Sequence, residues 1–149
     1  IDRPVQFDKS LIREEIRGLF KRSLKLRQVS AGGDNSCEWE LNASNNVQFD
    51  ISRFGIEFTA SPRHADGVVI TGPISRNMAM ALQSTWDAVP KPKVLILAGT
   101  DAISGGLFAG SNGLDRSFLD HNRVDLYIPG NPTHPLNIIN SILRLMRPD

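Results

Sequence analysis

The chain has 149 residues, 40% hydrophobic and 22% charged, with 17 Lys and Arg against 16 Asp and Glu for a formal net charge of +1. That length suits one domain with one core, and the composition excludes a disordered chain and gives no electrostatic reason for nucleic acid as a principal partner. A single cysteine, Cys37, excludes an internal disulfide, cannot alone hold zinc or an iron–sulfur cluster, and points to a cytoplasmic setting.

The longest apolar runs, such as Val94 to Ala98, fall far short of a membrane span. No signal peptide is visible, and the lack of an initial Met leaves room for an upstream segment. Taken in chain order, Asp8 to Leu24 reads as an amphipathic helix with Leu11, Ile12, Ile16, Leu19 and Phe20 on one side and Asp8 or Ser10 as its cap. Arg17 to Arg27 carries five cations and no anion, either a solvated face or a surface for docking onto a membrane or an acidic partner. Leu26 to Val29 is a short strand, followed by a glycine loop and a helix through Cys37 to Ala43. That places Cys37 near a helix N-terminus, where the dipole favours a thiolate or another anion.

Further along, Phe54 to Thr59 and Gly67 to Thr71 are expected as buried strands, Ser75 to Ala88 as a helix, and Val94 to Ala98 and Val124 to Ile128 as strands. Ala109 to Asn122, rich in Gly, Asn and Asp, is expected as an irregular loop. Pro135 to Met146 closes the chain as a helix with Pro in its first turn and Leu136, Ile139, Ile142, Leu143 and Met146 on its apolar side. Strands alternating with helices predict an α/β fold with a mostly parallel sheet. In such sheets ligands bind beyond the carboxyl ends of the strands, which selects the loops Ala31 to Ser36, Gly99 to Gly106 and Pro129 to Pro135.

The glycine-rich Ala98 to Gly113 lacks a Gly-Lys-Ser/Thr and the dinucleotide fingerprint, so its glycines are read as turn formers. His64, His121 and His134 stand apart without metal-protease spacing. No G-x-S-x-G elbow is present, and a free-standing hydrolase or transferase would have to use Cys37 with a histidine brought up by the fold.

The run RFGIEFTASPRHADGVVITGPISRNM, Arg53 to Met78, resembles the small-subunit family shared by the NuoB-type subunit of respiratory complex I and the membrane-bound group 4 nickel–iron hydrogenases, including formate hydrogenlyase. The resemblance extends back through LFKRSLKLRQVSAGG and CEWELNA and forward through PKPKVLILAGTDAISGGLFAG, VDLYIPGNPTHP and the last helix. It is closer to the hydrogenase branch, on SPRHADGVVITGPISRNM and AISGGLFAG. It implies one flavodoxin-like α/β domain over residues 1–149, with residues 1–24 as an N-terminal docking helix. It also implies a single 4Fe–4S cluster on four cysteines in a G-S-C-x-G-C segment, a G-D-C-A and a P-G-C-P-P. In this sequence those positions are Asp34, Cys37, Asp101 in GTDA and Asn131 in PGNPT, so three of the four lack the thiolate. Clusters require soft thiolates, so no cluster or other metal is expected here, although oxygen donors beside one sulfur would suit a harder ion.

By the same resemblance Glu38 matches an acidic position beside the cluster associated with proton or quinone-site chemistry. Its ordinary role is that of a first-turn helix glutamate. Arg63 and His64 fall in the segment facing the large subunit and membrane arm. The implied partners are a hydrogenase or complex I large-subunit-like protein and an integral membrane subunit, with the chain peripheral on the cytoplasmic side of the inner membrane. The expected role is a scaffold that has lost its cluster and its electron-transfer role. The alternative is an active redox subunit with an unusual metal site or a cluster completed by a partner's cysteines.

Overall fold

The computed structural model describes residues 8–148. Its strands are β1 (Leu24–Ser30), β2 (Ile56–Phe58), β3 (Gly67–Thr71), β4 (Val94–Ala98) and β5 (Leu126–Ile128). Its helices are α1 (Ser36–Ser44), α2 (Arg76–Ala88), α3 (Thr100–Ser104), α4 (Ser117–His121) and α5 (Pro135–Met146). All neighbouring strands pair in parallel, in the order β2-β1-β3-β4-β5. This is the flavodoxin-like order that the resemblance implies, with its switch point between β1 and β3.

Every residue of β3 and β4 is buried, as befits central parallel strands covered on both faces. Their side chains alternate between two cores. Val69 and Ile96 join Leu26, Leu41, Ile128 and Ile142 on the face covered by α1 and α5, whereas Val68, Ile70, Leu95 and Leu97 join Leu82, Trp86 and Phe118 on the other. In α5 the buried stripe takes in Ile138 and Leu145 beside Ile139, Ile142 and Met146. Leu136, expected on that side, is exposed.

The expected helix over Asp8 to Leu24 does not form within the described residues. A single 3-10 turn, Lys9–Leu11, is capped by Asp8, whose Oδ1 accepts from the Ser10 amide at 2.9 Å. Gly18 then takes a φ of 76°, and from Leu24 the chain is already strand. Long-range demands override the helical pattern. Ile12 and Ile16 are buried in the core while Leu11 and Leu19 face solvent. Arg13 reaches across to Asp125, donating from Nε at 2.7 Å and from Nη2 at 3.0 Å, and Nη2 also donates to the Lys93 carbonyl. The docking helix is therefore withdrawn for residues 8–24, and its first seven positions lie outside the described residues.

Other boundaries shift for local reasons. Phe54 belongs to a 3-10 turn, Ile51–Phe54, ended by Gly55 at φ 84°, which shortens β2. Inside the expected irregular loop, Asp115 Oδ1 accepts from the Ser117 amide and hydroxyl and starts α4. Phe118 of α4 then packs edge-on against Trp86, with ring centres 6.0 Å apart. Among the described residues no helix is long and apolar enough to cross a membrane.

Candidate functional site

The loops after β1, β4 and β5 meet at the carboxyl edge of the sheet. Backbone bonds set their mutual register: Gly99 N–H donates to the Ile128 carbonyl at 2.8 Å and Thr100 N–H to the Gly130 carbonyl at 2.9 Å. Within the first loop, Asp34 Oδ1 accepts from the Ser36 amide at 3.0 Å and from its hydroxyl at 2.6 Å. These bonds hold the Asp34 carboxyl below the usual carboxylate range and turn the chain into α1. The Ser36 hydroxyl also lies 3.2 Å from Asn131 Oδ1. Its one proton is thus shared between two loops, with the shorter bond to Asp34.

One residue further on, Cys37 is directed inward and is buried. Its sulfur rests on the α-carbon of Gly99, so close that a Cβ at that position would stand 2.4 Å from Sγ. Gly99 has φ 94° and ψ 157°, a region open essentially only to glycine. Burial pushes the Cys37 thiol up, the Thr133 backbone N–H donating to the sulfur pulls the other way, and the negative Glu38 and Asp34 add to the rise. The thiolate expected from the helix start is outweighed by this burial, so the group is a protonated thiol at neutral pH and a poor nucleophile.

Asp101 enters from the first turn of α3, with its carboxylate over Gly106, where an added Cβ would meet Oδ1 at 2.0 Å. Burial raises its pKa, and the charges of Asp34 and Glu38 raise it further. The loop that carries it is braced by Arg116. That guanidinium donates to the carbonyls of Ala102 at 2.7 Å, Pro73 at 2.8 Å, Ile103 at 3.0 Å and Asp101 at 3.2 Å.

Glu38 is the buried carboxylate of the group, 6% exposed. Its Oε1 accepts from the Ser30 hydroxyl at 2.6 Å and from Thr71 Oγ1 at 2.8 Å, bridging the ends of β1 and β3 at the switch point. Arg63 and His64 are not brought to this place. They are exposed on the 3-10 turn Pro62–His64, which leads into the start of β3. Gly67 pairs with Leu26 and Thr71 with Ser30, so four residues of strand, about 13 Å, separate that end of the sheet from the loop junction.

The structure thus gathers Asp34, Cys37, Glu38, Asp101 and Asn131 and leaves Arg63 and His64 apart. It adds Ser30, Ser36, Thr71, Thr133 and Arg116, which the sequence reading passed over. Ser36 had a visible signal, because Asp-x-Ser occurs four times, and at Asp8, Asp34 and Asp115, though not at Asp50, the aspartate accepts from the serine amide and hydroxyl. Among the described residues no three His, Cys, Asp or Glu side chains are placed to hold a metal ion. One protonated thiol, two carboxylates and an amide do not suit a 4Fe–4S cluster, which takes soft thiolate donors.

A flavodoxin-like sheet with three strand-end loops converging on one junction defines a doubly wound α/β domain whose ligand position is that junction. Residues 35–145 match the family described as NADH ubiquinone oxidoreductase, 20 Kd subunit, and the chain belongs to it. It is 36% identical over 138 residues to formate hydrogenlyase subunit 7 of Escherichia coli, covering 89% of this chain and 52% of that protein. It is 35% identical over 128 residues to the protein MJ0516 of Methanocaldococcus jannaschii, covering 84% of each. Among solved structures it is similar to a chain of the membrane-bound sulfane sulfur reductase, an archaeal respiratory membrane complex. There the TM-score is 0.74 and the identity 26%, over 90% of this chain and 75% of that one. The chain therefore spans about half of the E. coli subunit and most of the M. jannaschii protein. The resemblance to complex I and group 4 hydrogenase subunits is borne out.

Proposed function

We propose that this chain is the small subunit of a membrane-associated complex of the complex I and group 4 hydrogenase kind, peripheral on the cytoplasmic side, and that it serves there as a scaffold without a 4Fe–4S cluster. The observation that carries the reading is the state of Cys37. The one thiol at the four positions the resemblance assigns is buried against Gly99 under the Thr133 amide. A cluster ligand needs its sulfur open to the iron beside other soft donors, which Asp34, Asp101 and Asn131 do not supply. Asp34 and Asn131 are meanwhile bonded to Ser36. Docking a large subunit and a membrane subunit needs only the faces of the domain, and none of those faces depends on cysteine.

Anaerobic purification of the complex through a tag on this chain tests both halves. The expected result is co-purification of a large-subunit-like protein and an integral membrane protein, with no iron or acid-labile sulfide bound to this subunit once it is separated from them. Stoichiometric iron and sulfide on this subunit would overturn the scaffold reading in favour of the redox alternative, and a chain that purifies alone would overturn the assembly.

A further inference from the structure

At the opposite end of the sheet from the loop junction, the amino ends of β4 and β5 border a cavity of about 360 Å³. Cations enter it from three separate parts of the chain: Arg13 from the N-terminal segment, Lys91 and Lys93 from the α2–β4 connection, and Arg123 from the α4–β5 connection, with His121 beside them. Only one lining carboxylate, Glu15, opposes them, and its side chain is 76% exposed. Arg13 is neutralised by Asp125. The Lys93 ammonium is not matched in that way: it lies 4.2 Å from the centre of the Trp86 ring and donates to the Trp86 carbonyl at 2.5 Å. Burial lowers its pKa, Asp87 acting against the shift and Lys91 with it. Arg123 spends one nitrogen on the Leu11 carbonyl, which fixes its guanidinium at the rim.

Cations that converge on a concave site beside an aromatic wall, Lys93 half-buried and Lys91 and Arg123 exposed at its mouth, form a receptor for an oxyanion, since several charge-assisted bonds can close on one guest. A volume near the lower limit for ligand sites restricts the guest to a small group. We propose that this cavity binds a phosphate-bearing anion, through Lys91, Lys93 and Arg123 with Trp86 as its apolar wall. The site is separate from the loop junction, and the inference does not rest on the presence or loss of a cluster.

The phosphate can be free or the headgroup of an acidic lipid, and the test has an arm for each. The purified chain is titrated with inorganic pyrophosphate at low ionic strength by calorimetry, and sedimented with phosphatidylcholine vesicles with or without phosphatidic acid. Lys91→Gln and Arg123→Gln are compared with a control pair, Lys21→Gln and Arg22→Gln, in the basic run outside the cavity. Saturable one-to-one binding of pyrophosphate, weakened about tenfold by either cavity substitution through loss of one bond to a charged group and unchanged in the control pair, supports the site with a free phosphate. Sedimentation that requires phosphatidic acid and is lost in the cavity variants but kept in the control pair supports it with a lipid headgroup. The proposal is overturned if neither ligand binds, if the cavity variants bind like the parent, or if the control pair weakens binding equally. Circular dichroism of each variant confirms that it is folded.

Discussion

The inward placement of Cys37 can be measured through its contact with Gly99. In Gly99→Ala the backbone must keep φ 94° and ψ 157° with a side chain, at about 1–3 kcal/mol. The new methyl must also sit 2.4 Å from the Cys37 sulfur, and overpacking of that kind adds about 1–3 kcal/mol. Cys37→Ala alone removes one small buried group and costs about 1 kcal/mol, near the centre of the range for single substitutions. In the double variant the sulfur is gone, and the nearest Cys37 atom left, its Cβ, is 3.7 Å from the new methyl, an ordinary contact. The overpacking part then disappears while the backbone strain stays. The double variant should be more stable than the sum of the singles implies, by about 1–3 kcal/mol. Urea denaturation reads this directly, because a slope of about 1–3 kcal/mol per molar turns such a coupling into a midpoint difference on the order of 1 M. Additivity within about 0.5 kcal/mol would refute the contact and leave the thiol pointing outward, free to serve as a ligand.

Asp125→Ala should destabilise by about 3–5 kcal/mol in thermal or urea unfolding. It strands the part-buried Arg13 guanidinium and also the Leu95 amide, which donates to Asp125 Oδ2 at 2.9 Å. Arg116→Lys should cost about 1–3 kcal/mol, because an ammonium cannot span the four carbonyls that the guanidinium reaches. Faster amide exchange confined to α3 would identify the loss as local, and exchange that quickens uniformly or not at all would count against the brace. Asp101→Asn should raise stability at neutral pH but not in acid. The folded carboxyl titrates above the unfolded one for reasons of burial and the charges on Asp34 and Glu38. Its penalty is therefore absent below the unfolded value of about 3.9 and appears as pH rises through the folded one. A difference between variant and parent that does not change with pH would exclude that account.

What could be read in the sequence was what depends on nearest neighbours in the chain. Gly67–Thr71 and Val94–Ala98 are short apolar runs bounded by turn residues, and they are strands with those limits. Pro135–Met146 starts at a proline and keeps a helical period. The segment after Asp8 failed for the opposite reason. Its periodicity is genuine, but Arg13 reaches Asp125 across the fold, and Leu24 to Leu26 is claimed by pairing with Ile56 to Phe58 and Gly67. The site divides in the same way. Its location follows from strand-end geometry, and Asp34, Cys37, Asp101 and Asn131 follow from the resemblance. The direction of the Cys37 sulfur does not, because it depends on an unoccupied Cβ position at Gly99 and on an amide at Thr133, both remote in the chain.

Those remote contacts also bear on what holds the three loops together at the junction. A cluster on four ligands cross-links the loops that carry them, so its removal would be expected to release the loops. Here the cross-links are of another kind. Gly99 to Ile128 and Thr100 to Gly130 are backbone bonds, indifferent to side-chain identity. The Ser36 hydroxyl lies between Asp34 and Asn131, two positions that the resemblance assigns to cysteine, so these residues themselves take part in the joint. Arg116 holds the Asp101 loop from behind, through carbonyls alone. Each loop is thus anchored by groups that need no thiolate, and this end of the sheet keeps its geometry whatever occupies the junction.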